Sequence, residues 1–303
     1  MPMKCGDVTI VVDGGNVGVH PGQQVTGKVV FGAVDGRPCA PRVVRLVVEG
    51  TAHLTLSPKT VGLFEAFYSS LRPVVLQNRT ITITEHRPLL PSQATEFPFS
   101  FDVDACGEQR VLPSFKGKLV KIRWTVSCYT GRGFIPSAPK AVKEFLVVAN
   151  PPFCTPEPIR SPFKSHGYCQ NTDDGESQVD LEIDIEGFVE STSCDMRSQP
   201  LQGELSVLRS TKRIQSVVLR LNRIESIVYS EGDISERSEV SSLEIADGNI
   251  ARGLPIPIHF LWPRGTCCPT LRHEEFSIGF EIELRINFAT GQFMIERIPV
   301  TLH

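Results

Sequence analysis

The chain has 303 residues, 41% of them hydrophobic and 21% charged, an ordinary composition for a globular protein with room for two cores. A net charge of −3 gives no reason to expect nucleic acid. No apolar run approaches the roughly 18–20 residues of a membrane span, and the opening MPMKCGDVTIVVDGG lacks a signal-peptide pattern, so a cytoplasmic protein is expected.

Short alternating runs then follow one another. They are DVTIVV (7–12), QVTGKVVF (24–31), RVVRLVVEG (42–50), TITIT (80–84), LVKIRWTVS (119–127) and EFLVV (144–148). Side chains of period two separated by glycine, proline and asparagine predict strands of a β-sandwich. One segment differs. In VGLFEAFYSSL (61–71), Phe64, Phe67, Tyr68 and Leu71 follow helical spacing, between Thr60 as a cap and Pro73 as a stop. A single turn or an apolar loop fits it equally well.

A second copy of the pattern lies downstream. Phe97-Pro98-Phe99-Ser100-Phe101 recurs as Ile256-Pro257-Ile258-His259-Phe260. QVTGKVVF matches LQGELSVL (201–208), and Val44, Leu46 and Val48 match Val217, Leu219 and Leu221. Strands KIRWTV and EIELRI follow at similar distances. Elements recurring in one order predict two sandwiches in tandem, 1–150 and 179–303. Between them, residues 151–178 begin with five prolines in twelve residues and end polar and acidic, the composition of a semi-extended linker. A proline removes a ladder donor, so the Phe-Pro-Phe and Ile-Pro-Ile strands should lie at sheet edges or at a bulge beside one.

Chemistry is sparse. There is no GxSxG, HExxH or phosphate loop. DGGNVG (13–18) precedes a strand and reads as a turn. His273-Glu274-Glu275 reads as a polar turn, and the histidines at 20, 53, 86 and 259 have no metal spacing. The sequon Asn78-Arg79-Thr80 is idle in a cytosolic protein. Nine cysteines, odd in number and without CxxC, read as free thiols. Cys267, Cys268 and His273 supply three zinc ligands at most, and zinc takes four. No metal, no cofactor and no enzyme are expected.

Two lobes of sandwich with proline-bearing strands resemble the arrestin superfamily. TVGLFEAFY (60–68), QPLQGELSV (199–207), IADGNIARGLPIPI (245–258) and CPTL (268–271) are similar, in order and over essentially the whole chain, to the vacuolar protein sorting 26 family of arrestin-like subunits. FEAFY, CPTL and a chain that stops at His303 favour its retriever-type branch over the retromer subunits, which carry an acidic tail. The cysteines and the long proline segment depart from the family pattern. The resemblance implies an all-β fold of two arrestin-like lobes and a non-enzymatic role in recycling membrane proteins from endosomes to the cell surface. The implied partners are a helical-repeat scaffold (vacuolar protein sorting 35-like), a small metallophosphatase-like subunit reached through it, and a sorting nexin cargo adaptor. Membrane association would be peripheral, through the complex.

The family docks its second lobe by an Ile-x-Asp-Gly segment, which falls on Ile245, Ala246, Asp247 and Gly248. The residues agree: an isoleucine emerging from the polar loop SEGDISERSEVSSLE (230–244) can plug a partner groove, although a strand-end core residue is the plainer reading. Arg252 and Arg264 could receive an acidic adaptor tail; solvated strand ends are the plainer reading there. Two alternatives belong to other classes. A retromer small subunit would show the tail, and an arrestin-domain adaptor for a ubiquitin ligase would carry PPxY. The nearest approach here is Pro151-Pro152-Phe153-Cys154.

Overall fold

The computed structural model describes residues 7–14, 18–33, 43–56, 72–85, 89, 93–104, 111–131, 138–149, 157–169, 179–197, 199–228, 232–263 and 268–303. The predicted helical segment at 61–71, Arg264 and Cys267 lie outside them. The described residues form strands and no helix. The chain separates into two compact units, Met1–Asn150 and Pro151–His303.

In the first unit, β1 (Val8–Val12), β2 (Gln24–Phe31) and β5 (Thr95–Asp102) form one sheet in the order β1-β2-β5. The second sheet runs β4 (Val74–Glu85), β3 (Val43–Leu54), β7 (Val120–Gly131), with β6 (Phe115–Lys116) and β8 (Ala141–Phe145) both paired to β7. The alternation read from sequence is the burial pattern. Along β3, Val44, Leu46 and Val48 are buried, and along β5 so are Phe97, Phe99 and Phe101. Phe101 meets Phe145 of the other sheet edge-on at 5.9 Å, closing the core.

The second unit repeats this plan. Its first sheet runs β15 (Pro255–Phe260), β12 (Leu201–Ser210), β10 (Val179–Val189), β9 (Ser161–Cys169). Its second runs β14 (Ile234–Asp247), β13 (Ile214–Ile227), β17 (Phe276–Phe288), β18 (Phe293–Leu302), with short β11 (Ser193–Cys194) on β18 and β16 (Leu271–Arg272) on β17. The order β10-β12-β15 is that of β1-β2-β5, and β14-β13-β17 is that of β4-β3-β7. Register agrees as well as order. Gly27 lies opposite Phe99, and Gly203 opposite Ile258. A Cβ at Gly27 would stand 2.3 Å from the Val11 oxygen, and one at Gly203 2.1 Å from the Phe188 oxygen. Only glycine tolerates that approach, so the matched glycines of the sequence mark one packing event made twice.

β5 and β15 are edge strands, as their prolines require. Pro255 and Pro257 are spaced two apart, so they fall on one side of the strand and the ladder to β12 need lose no bond. Pro257→Val is therefore expected to leave unit stability within about 1 kcal/mol in urea titration. A loss of several kcal/mol would show that proline's fixed backbone is itself required. Aggregation should rise, because an edge blocker has gone.

Two readings are corrected. The segment expected to be linker contains β9, which pairs along β10 with Ser161 opposite Val189. Its Phe163 is buried over Gly187, where an added Cβ would stand 2.5 Å from the ring. Pro162 made the stretch look like linker; it is one more edge-strand proline. The polar run ending at Glu244 was expected to be loop, yet Ile234–Asp247 is a 14-residue strand. An edge strand needs little apolar surface, because one neighbour supplies its hydrogen bonds and solvent takes much of the rest.

Candidate partner-binding surface

Ile245, Ala246 and Asp247 end β14, the free edge of the six-stranded sheet. Its neighbour β13 is rich in valine, leucine and isoleucine and turns Val217, Leu219 and Leu221 into the core. Val217 pairs with Ala246 but Val218 pairs with Glu244, so Ile245 is the extra residue of a β-bulge. A second bulge leaves Val240 extra between Glu239 and Ser241. Bulges twist an edge and interrupt strand addition, while they re-aim a side chain. Ile245 and Ala246 are half-buried and Asp247 is exposed. Ile245 is thus neither a core residue nor a residue of a loop.

The turn that follows carries the chain to the opposite sheet. Gly248 has φ of 82° and Gly253 of 73°, left-handed values that glycine adopts at no steric cost. The Gly248 N–H donates to the Gln215 carbonyl at 2.6 Å, and the Gly253 N–H to Val207 at 2.8 Å. Asn249 Oδ1 accepts from the Ile214 N–H at 3.3 Å and from Arg252 Nη2 at 3.2 Å. Arg252 Nη1 also donates to the Ile250 carbonyl and Nη2 to Lys212 at 3.5 Å. The guanidinium therefore braces its own turn, and the anion-receiving role expected for it competes with that work. Arg264 lies outside the described residues and is not placed beside it.

Sequence reading missed exposed apolar residues beside this strand and turn. Leu243 on β14 is 40% exposed and Leu254, closing the turn, is 60% exposed. Exposed Leu208 follows Val207, the acceptor for Gly253. The available signal was a leucine directly before the edge proline Pro255.

A polar network fastens β14 to the outer face of its sheet. Arg237 Nε lies 2.8 Å from Glu281 Oε1, and Arg220 Nε lies 3.5 Å from Glu239. Asn222 Nδ2 donates to Glu281 and Glu283 at 3.3 Å each, and Arg297 Nε is 3.7 and 3.6 Å from the same two carboxylates. On the core side of β13, Arg223 Nε donates to Glu225 Oε1 at 3.0 Å, with Nη2 at 2.9 Å. Glu225 is fully buried and the Arg223 side chain only 15% exposed.

Among the described residues no group of three or more His, Cys, Asp or Glu side chains could hold a metal. His273 stacks on Phe276 at 4.9 Å, and its Nδ1 accepts the Glu275 N–H at 3.2 Å. Cys128, Cys194 and Cys268 are free thiols in buried positions. Burial pushes the Cys128 thiol up to about 12 and Cys194 to about 11. Thiolate is the reactive form, so both should stay unmodified by iodoacetamide at neutral pH and label once denaturant is added. Peptide mapping by mass checks this; native-state labelling of Cys128 would mean that its strand opens.

A family model described as vacuolar protein sorting-associated protein 26 matches residues 16–288. The chain is 31% identical over 300 residues to vacuolar protein sorting-associated protein 26C of Dictyostelium discoideum, an alignment covering 93% of this chain and 94% of that protein.

Proposed function

The chain belongs to the vacuolar protein sorting-associated protein 26 family, and from that premise we propose that it is the arrestin-like subunit of a retriever-type endosomal sorting complex. It docks by its second unit on a helical-repeat scaffold, which also holds the small metallophosphatase-like subunit. A sorting nexin adaptor brings cargo, and the assembly returns membrane proteins from endosomes to the cell surface. The subunit is cytoplasmic and reaches the membrane through the complex. It has no catalytic task in this reading.

The observation that carries the reading is the near full-length match to a relative named for the 26C type. The second unit adds a physical argument. A half-buried isoleucine at a bulge of an edge strand, beside exposed Leu243, suits a partner that supplies a groove rather than a strand. Ile245 and Ala246 are the residues that enter it; Asp247 and Gly248 shape the exit into the turn, and Arg252 holds that turn.

The test is purification of the tagged full chain from cytosol, with identification of what accompanies it. A helical-repeat scaffold of the retriever type together with a metallophosphatase-like subunit is the expected result. A retromer scaffold would make the chain a retromer small subunit instead. Recovery of a ubiquitin ligase without any helical-repeat scaffold would make it an arrestin-domain adaptor.

A further inference from the structure

The two units carry the same edge feature. In the first, Val44 pairs with Thr84 and Arg45 with Thr82, which leaves Ile83 as the extra residue of a bulge in β4. In the second, Val217 pairs with Ala246 and Val218 with Glu244, which leaves Ile245. Val44 and Val217 are matched positions of the repeat, so Ile83 and Ile245 are equivalent. Both stand on edge strands and both are half-buried. The next equivalent pair is also alike, because Glu85 lies opposite Val43 where Asp247 lies opposite Ser216. A partner that recognised only a bulged isoleucine followed by an acid two residues later would meet two sites.

The preceding position breaks the equivalence. It is Thr82 in the first unit and Glu244 in the second, both exposed. Glu244 sits opposite Val218, on the outer face of the sheet, and no ion pair or hydrogen bond engages its carboxylate among the described residues. Asp247 is likewise unengaged. Glu239, further along the same outer face, is already paired with Arg220. Arg285, across from Val218 on β17, is turned onto the Phe293 ring at 3.7 Å and donates to Asn287. Lys212, Arg213 and Arg252 stand on the adjoining turns, and Arg252 is spent on backbone carbonyls. Glu244 is thus an unengaged anion next to the isoleucine, where the first unit's edge carries the neutral Thr82.

We infer that Glu244 is the specificity determinant of the docking edge: the partner groove that takes the bulged isoleucine bears a lysine or arginine that pairs with Glu244, and this directs it to the second unit rather than to Ile83. The inference rests on the scaffold-docking reading above. An exposed charge at the margin of an interface acts mainly on association rate and on salt dependence. It discriminates between two otherwise matched surfaces without adding buried area.

The experiment measures binding of the full chain to purified scaffold at about 50 and about 300 mM salt, one on each side of the physiological screening range. Glu244→Thr, which writes the first unit's residue into the second, should weaken binding about tenfold at low salt, chiefly by slower association, and should flatten the salt dependence. Glu244→Lys should be weaker still, and Glu244→Asp should keep most of the affinity. Thermal melts of all three should match the parent chain. If Glu244→Thr keeps the parent rate and salt dependence while Ile245→Asp fails to bind, the determinant is elsewhere and this inference is overturned. If Ile245→Asp also binds normally, the docking reading falls with it.

Discussion

Ile245→Asp should weaken scaffold binding by roughly two orders of magnitude or more. An isoleucine taken fully from water contributes roughly 1.5–3 kcal/mol, and Ile245 is already half-buried in the free chain, so only part of that is gained on docking. Most of the loss comes from the aspartate itself, which would enter the groove as a charge without a partner. Each ~1.4 kcal/mol is tenfold in affinity. The free subunit should keep its fold, because Ile245 is the extra residue of an edge bulge and makes no inward row. Phe101→Asp is the opposite case. Phe101 is buried between Phe99 at 6.0 Å and Phe145 at 5.9 Å, so a carboxylate there should unfold the first unit. The two tryptophans fall one in each unit, Trp124 and Trp262, and fluorescence of single-tryptophan variants assigns any melt to its unit. Ile245→Asp with normal scaffold binding would show that the family's docking residue is not used here. If instead it melts the second unit as Phe101→Asp melts the first, Ile245 is a core residue.

Glu225→Ala should cost the second unit roughly 3–5 kcal/mol, because it removes the buried carboxylate that pairs with the largely buried Arg223 guanidinium. Both side chains point to the core side of β13, between rows that pair with Phe280 and Ile278 of β17. At an m-value of about 2 kcal/mol per molar urea, the midpoint of the Trp262 transition would fall by roughly 1.5–2.5 M. The Trp124 transition should not move. The double variant Arg223→Met with Glu225→Leu should recover most of the loss, since desolvation of both charges is removed together. A single variant that melts like the parent chain would mean that water or another group serves Arg223 once this carboxylate is gone.

The strands and their repetition were legible because period-two burial writes itself into residue choice. Val44, Leu46 and Val48 and their counterparts Val217, Leu219 and Leu221 occupy the same inward rows that the alternation predicted. Edge position was legible for β15, because a proline in a strand excludes a second neighbour on its side. The same proline logic misled at β9, where density of proline outweighed a weak alternation around Phe163.

What the sequence alone determined is an all-β chain, its division into two like units, the edge strands marked by proline, and its family, since each rests on local periodicity or on order along the chain. Tertiary structure alone decided the rest. β14 is a strand because β13 offers it a ladder, although its own residues are too polar to announce one. Ile245 is presented by a bulge, and a bulge is a mismatch between two strands, visible in neither taken singly. Arg223 and Glu225 are charged residues that nothing local in the chain marks as buried, and only the closing of β17 over them makes them an interior ion pair. Glu244 gained its meaning in the same way. Its charge was plain from the start, but that it stands without a partner beside one of two equivalent isoleucines depends on which side chains the fold brings near it, and which it turns away.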